Sequence, residues 1–157
     1  MDNSITYRMA DADDAGLLAA TRVEFFIDMK NELTDDQKAE LYERSKAFFD
    51  EALRDGSFAA YLAFDGSFPV GTGGASFYRM PPSVRNKTGR MAYISNMYTK
   101  PEYRGRGVAT RLFALTAAEA KRRGCGKLTL HASDMGRPIY EKYGLYAVKG
   151  SMEYLFE

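Results

Sequence analysis

The sequence predicts an α/β domain built around a mixed sheet. Three observations carry that expectation. Short runs with apolar residues at alternate positions are interleaved with longer runs whose apolar residues recur every three to four. Most of these runs are bounded by Gly, Pro, Asn or Asp. Their order, β-α-α-β-β-β-α-β-α-β, mixes strands and helices instead of grouping them. The chain has 157 residues, is 45% hydrophobic and carries 11 Tyr and 10 Phe. That is enough apolar material for one domain over residues 1–157, and too much for a disordered chain.

Ser4-Ile5-Thr6-Tyr7-Arg8-Met9 alternates and predicts the first strand. Residues 12–29 predict a helix, capped by Asp11 or Asp13, with Leu17, Leu18, Thr21, Phe25 and Met29 along one stripe. Thr34-Asp35-Asp36-Gln37 is a capping-box pattern. The helix it opens sets Leu41, Ser45, Phe48, Phe49 and Ala52 on one face and ends at Gly56. Residues 58–64 and 70–78 predict a hairpin about Asp65-Gly66-Ser67, followed by a basic loop at 79–89 long enough for a lid. Residues 91–99 predict a strand, stopped by Pro101. The helix at 107–123 buries Ala109, Leu112, Phe113, Thr116 and Ala120. Its last turn holds Lys121, Arg122 and Arg123, with Gly124 as cap. A strand at 127–131 and a short helix at 138–143 follow, and 152–156 supplies one or two further strands.

Net charge is +1, but it is unevenly placed. Residues 1–75 carry 7 basic and 15 acidic side chains, net −8; residues 76–157 carry 15 and 6, net +9. A basic half suits an anionic ligand and an acidic half a cationic one. A nucleic-acid binder is disfavoured, since such domains are basic overall. Cys125 is the only cysteine and His131 the only histidine, which excludes a disulfide scaffold and a Cys/His metal centre. Cys125, between Gly124 and Gly126, is read as an incidental thiol. No apolar run reaches the roughly 18 residues of a membrane span. With no basic-then-apolar pattern at Met1, Asp2 and Asn3, the expected location is the cytoplasm.

The chemistry concentrates in Tyr103-Arg104-Gly105-Arg106-Gly107-Val108-Ala109-Thr110, between a strand and a helix. Glycines let the backbone approach a ligand, and a helix N-terminus presents amides and partial positive charge. Arg104 and Arg106 add full charges of good phosphate geometry. Together these describe an anion site suited to a diphosphate. It is not a Walker A loop, which needs G-x-x-x-x-G-K-[ST]. As a dinucleotide fingerprint, G-x-G-x-x-G, it has Thr110 where the third glycine belongs.

The segment Arg104-Gly105-Arg106-Gly107-Val108-Ala109 fits the pattern [RQ]-x-x-G-x-[GA]. Ile94 to Tyr103 resembles the strand that runs into that loop. Ile139-Tyr140-Glu141-Lys142-Tyr143-Gly144-Leu145 resembles a Y-E-K-x-G-F segment, with Leu145 at the usual Phe. In these three segments, over residues 91–146, the chain resembles the GNAT superfamily of acetyl-CoA-dependent N-acetyltransferases. The resemblance implies a GNAT-like, mostly antiparallel sheet flanked by helices and splayed between strands four and five. It implies acetyl-CoA as cosubstrate and no metal. The contacts it implies are Met97, Tyr98 and Thr99 with pantetheine, residues 104–110 with the pyrophosphate, and Ser133 nearby.

The resemblance further implies direct attack of an amine on the thioester, without an acyl-enzyme. The Met97 N–H would meet the oxyanion and Tyr140 would act as general acid; Tyr143 is read as packing. Glu24, Asp28, Tyr78, Tyr93 and Ser95 are the expected substrate contacts. Where relatives carry Glu or His on the fourth strand, this chain has Met91, Tyr93 and Ser95. The proton acceptor is therefore open: water held by Tyr93 or Ser95, Glu24, Asp28, or no dedicated base. His131 is either a ligand contact or a structural histidine. The expected acceptor is a small cationic or polyamine-like primary amine. A protein N-terminus or lysine, and a non-catalytic acyl-CoA-binding regulatory module, are the alternatives. A homodimer through the C-terminal strands is a further possibility.

Overall fold

The computed structural model describes residues 4–156; Met1, Asp2 and Asn3, on which the leader reading rests, lie outside the described residues. β1 (Ile5–Met9), β2 (Phe58–Asp65), β3 (Phe68–Arg79), β4 (Arg90–Thr99) and β5 (Lys127–Thr129) form one sheet in that order. β1 to β4 pair antiparallel, and β5 joins β4 in parallel. The helices are α1 (Ala15–Asp28), α2 (Asp35–Asp55), α3 (Val108–Arg122) and α4 (Arg137–Tyr143).

Each face of the sheet is sealed by its own helices. Leu18 and Ala19 of α1 and Phe49 and Ala52 of α2 pack on Phe58, Ala60 and Leu62. On the opposite face Phe113 and Ala117 of α3 and Tyr140 of α4 pack on Ala75, Ala92 and Ile94, while Val108 and Leu112 pack on Ala63 and Val70. Burial on both faces explains why β2 and β3 read as nearly continuous apolar runs.

The capping boxes are formed. Thr34 accepts from the Gln37 N–H while the Gln37 side chain accepts from the Thr34 N–H. Asp11, of the two cap candidates, closes a box with Asp14 around a 3-10 turn at Ala12–Asp14, so α1 begins three residues later than expected. The buried line on α1 is Ala15, Leu18, Ala19 and Thr21, with Leu17 and Phe25 at its margin; Met29, expected on the stripe, is the exposed C-cap. On α2, Phe49 is buried and Phe48 exposed. Ala109, expected in the core, borders a cavity instead.

Two further expectations are overturned. Residues 152–156 form no strand. Leu145 packs against the core, but Tyr146, Val148, Met152, Tyr154, Leu155 and Phe156 beyond it are exposed. Alternation suits a strand, yet a strand forms only where an edge accepts its amides, and among the described residues none does. The loop at 79–89 is also no lid to the cavity described below. Asn86 is 5% exposed and donates to the Arg90 carbonyl at 3.0 Å, and Met80 N–H bonds Gly89 O at 2.8 Å. The loop is pinned at the start of β4, whereas the cavity lies at its other end. No described helix is long and apolar enough to cross a membrane.

Candidate active site

β4 and β5 pair only from Met91↔Lys127 to Tyr93↔Thr129 and then part, which cuts β5 shorter than the expected 127–131. Beyond the last pair lies a cavity of 470 Å³. Its walls come from both sides of the sheet: Phe25 and Asp28 of α1 with Met29 at its C-cap, and Ile139 and Tyr140 of α4. Met97, Tyr98 and Thr99 of β4 form one margin and Ser133 the other. β4 is bulged here. Between Thr72↔Tyr98 and Gly74↔Ser95, Gly73 alone faces both Asn96 and Met97. Asn96 takes φ +55°, a conformation Asn tolerates better than most residues, and one residue of such a pair is left out of the ladder. A Cβ at Gly73 would stand 2.7 Å from Met97 Sδ, so the bulge needs a glycine opposite it.

The floor of the cavity is the loop entering α3. Gly105 (φ +75°) and Gly107 (φ +82°) hold left-handed conformations that a side chain would strain. Gly107 is the N-cap and offers no side-chain acceptor, and the first bond of the helix is Arg111 N–H to Gly107 O. The amides of Val108, Ala109 and Thr110 are thus without helical acceptors, at the positive end of a 15-residue helix. Thr99 Oγ1 is buried with no hydrogen-bond partner. Open amides, an unpaired hydroxyl and nearby guanidinium charge fit an elongated ligand bearing a phosphate. Arg104 lines the cavity, its Nε donating to Thr99 O at 3.0 Å. Arg106 does not; its guanidinium stacks over Tyr103, 4.9 Å from the ring centre.

Electrostatics divide the walls. Burial alone pushes the Tyr140 phenol above its usual range, with Phe113 edge-on at 5.0 Å. Tyr98 is pushed up to about 12, first by burial and then by the carboxylates of Asp28 and Glu24. Those carboxylates are engaged within the chain: Asp28 pairs with Arg104, and Glu24 accepts from Lys100 Nζ at 2.9 Å. Asp28 still lines the cavity; Glu24 does not. Among the described residues no group of three or more His, Cys, Asp or Glu is placed to hold a metal ion.

The acetyltransferase (GNAT) family model matches residues 23–145. The chain belongs to that family. Its fold is close to that of a predicted acetyltransferase from Clostridium acetobutylicum crystallised with acetyl-CoA. The two are 36% identical with a TM-score of 0.86 over 96% of each chain. A GCN5-related N-acetyltransferase from Ralstonia eutropha shares the fold at 24% identity and TM-score 0.84, over 96% of this chain and 98% of that one. A thialysine N-epsilon-acetyltransferase from Sus scrofa is 34% identical over 56 residues; the match spans 36% of this chain and only 33% of that protein.

Within this GNAT acetyltransferase the cavity gathers Met97, Tyr98, Thr99, Arg104, Gly105, Gly107, Val108, Ala109, Thr110, Ser133, Asp28 and Tyr140. It does not gather Tyr78, which borders a separate shallow depression with Arg79, Arg90 and Cys125. Nor do Tyr93 and Ser95 line it; they precede it on β4. Cys125 is half-buried, its thiol pushed up by burial. Sequence reading missed Asn96 and the lining residues Met29, Met135 and Ile139. The run Gly71-Thr72-Gly73-Gly74 inside a strand was the available signal for a close backbone approach.

Proposed function

We propose that this acetyltransferase moves an acetyl group from acetyl-CoA to a primary amine of a small cationic molecule by direct attack. The observation that carries the reading is the cavity between β4 and β5, open to α1 on one side and Tyr140 on the other, with unpaired α3 amides at its floor. The residues present fit acetyl-CoA, which when bound supplies the thioester. The amides of Val108, Ala109 and Thr110, with Gly105 and Gly107, hold its diphosphate. β4 from Met97 to Thr99 holds the pantetheine arm, with Ser133 opposite. The Met97 N–H, at the bulge, donates to the carbonyl oxygen as that oxygen gains charge. Tyr140, protonated through the neutral range as any phenol is, and held so more firmly by burial, gives its proton to the leaving sulfur.

Glu24 and Asp28 are neutralised by Lys100 and Arg104, so the exposed acids Glu32 and Asp36 on the α1–α2 side draw the cationic acceptor. The test is release of free thiol from acetyl-CoA with thialysine, lysine, spermidine, an aminoglycoside or a lysine-containing peptide. We expect small amines to exceed the peptide. A best rate with the peptide overturns the small-molecule acceptor. Tight acetyl-CoA binding with no thiol release from any amine overturns the enzyme reading in favour of a binding module.

We also propose that the chain pairs with a second copy through its tail. Tyr146, Val148, Met152, Tyr154 and Phe156 fall on alternate positions and are exposed, and the rings of Tyr154 and Phe156 meet at 5.1 Å. Such a segment suits the free edge of β5 in a partner chain. Sedimentation should give a dimer, and a monomer for the double variant Tyr154→Asp, Phe156→Asp. A monomeric unmodified chain overturns the pairing.

A further inference from the structure

β4 carries no carboxylate or imidazole, yet the ammonium of an amine acceptor must lose a proton before it attacks. The chain's one histidine stands where that proton can leave. Tyr93 Oη lies 2.6 Å from His131 Nδ1, although the two residues are 38 apart in sequence. Tyr93 is the last β4 residue paired with β5, and His131 lies two residues past its partner Thr129. The two side chains therefore bridge the strands at the point where they part, immediately before the cavity.

The side of the sheet matters. Ala92 and Ile94 pack into the α3–α4 core beside Tyr140. Tyr93, between them, points to the opposite face, where the Arg22 guanidinium of α1 is close enough to be coupled to it. The proton donor and this pair thus lie on opposite faces of the sheet, as attack from one side and departure from the other require. From Tyr93 to Met97 is four strand residues, roughly 13 Å between Cα atoms; the tyrosine side chain stands across the strand, so a short file of waters along β4 covers that span.

We propose that Tyr93 and His131 form the proton relay that deprotonates the acceptor amine, a step that rests on the acetyl-transfer reading above. In the Nε2–H tautomer of His131 the Tyr93 hydroxyl donates to Nδ1. The ammonium passes a proton, along that file of waters, to Tyr93 Oη as the phenolic proton moves to Nδ1. The amine becomes neutral, Tyr93 is regenerated and His131 becomes imidazolium. His131 is exposed and returns the proton to solvent. The amine nitrogen then forms its bond to carbon, the C–S bond breaks, and the sulfur takes the Tyr140 proton. The second proton on nitrogen re-protonates Tyr140 through solvent. The sum is one amide, one thiol and one proton released.

The test compares the unmodified chain with His131→Ala, His131→Gln and Tyr93→Phe, using thialysine as a protonated acceptor and hydroxylamine as one largely neutral near pH 7. With thialysine, kcat should fall about 100-fold in each variant, while acetyl-CoA affinity by calorimetry stays within about twofold. With hydroxylamine, after its uncatalysed cleavage of the thioester is subtracted, the loss should be under about threefold, and added imidazole should restore part of the thialysine rate in His131→Ala alone. Equal losses with both acceptors, or undiminished thialysine turnover, overturn the relay and leave acetyl transfer standing. An unmodified chain that transfers acetyl to hydroxylamine and to none of the protonated amines named above overturns the relay, and one that transfers acetyl to no amine at all overturns both.

Discussion

Tyr140→Phe should lower kcat about 100-fold and leave the Kd for acetyl-CoA within about twofold. The substitution removes one oxygen from a ring that is 9% exposed and packed edge-on against Phe113, so the cavity wall keeps its shape. In the proposed role, what is lost is a proton. A leaving thiolate has a conjugate acid of pKa about 8.5, so departure without help is slow but not forbidden. That sets the expected loss at the lower end of the range for general acids. The check is steady-state turnover beside calorimetric binding. Unchanged turnover would leave Tyr140 as packing, and a parallel loss of binding would mean that the ring supports the cavity. Tyr143 is the control. It also meets Phe113, at 4.9 Å, but is 54% exposed and does not line the cavity, so Tyr143→Phe should leave kcat within about twofold.

The parts of this molecule legible in the sequence are those written in neighbouring residues. Thr34 and Gln37 specify a helix start by contacts three residues apart, and Gly105 and Gly107 specify the loop by their own backbone freedom. The parts that were not legible depend on groups brought together only by the fold. Arg104 reads as a phosphate ligand from its motif. In the structure it is shared with Asp28, 76 residues away, and with the Thr99 carbonyl. Asp28 and Glu24 read as acids waiting for a cationic substrate, and instead they tie α1 to the end of β4 and the loop. In the proposed function, a diphosphate at the loop competes with Asp28 for Arg104, a cost invisible to any local pattern. The tail failed for a related reason. Its alternation is a strand's, but strand formation belongs to a pair of segments, and among the described residues no segment pairs with it.

Glu119 carries the largest stability effect we expect, and its pH dependence gives the sign. The carboxylate is 4% exposed on α3, with Arg122 at 2.6 and 2.7 Å and Arg123 at 2.8 Å. These guanidinium hydrogen bonds hold its pKa down to about 2, against the opposing effect of burial. Arg123, so oriented, also donates to Gly56 O at 2.5 Å at the end of α2 and stacks 4.1 Å over Phe77 of β3. The cluster fastens α3, whose first turn lines the cavity, to both α2 and the sheet. A pKa lower in the folded state than in the unfolded one means that the folded state binds the proton less well. The stabilisation is therefore complete above the unfolded pKa of about 4.3 and is lost as pH falls toward 2, amounting to about 3 kcal/mol. Glu119→Gln removes that charge and leaves two guanidinium groups facing an amide. At pH 7 urea unfolding should show a loss of about 3 kcal/mol, or a Tm lower by roughly 6–12 °C. The gap between variant and unmodified chain should narrow below pH 4 and close near pH 2. A gap that stays constant across that range would locate the effect in packing, because removal of shape alone does not titrate.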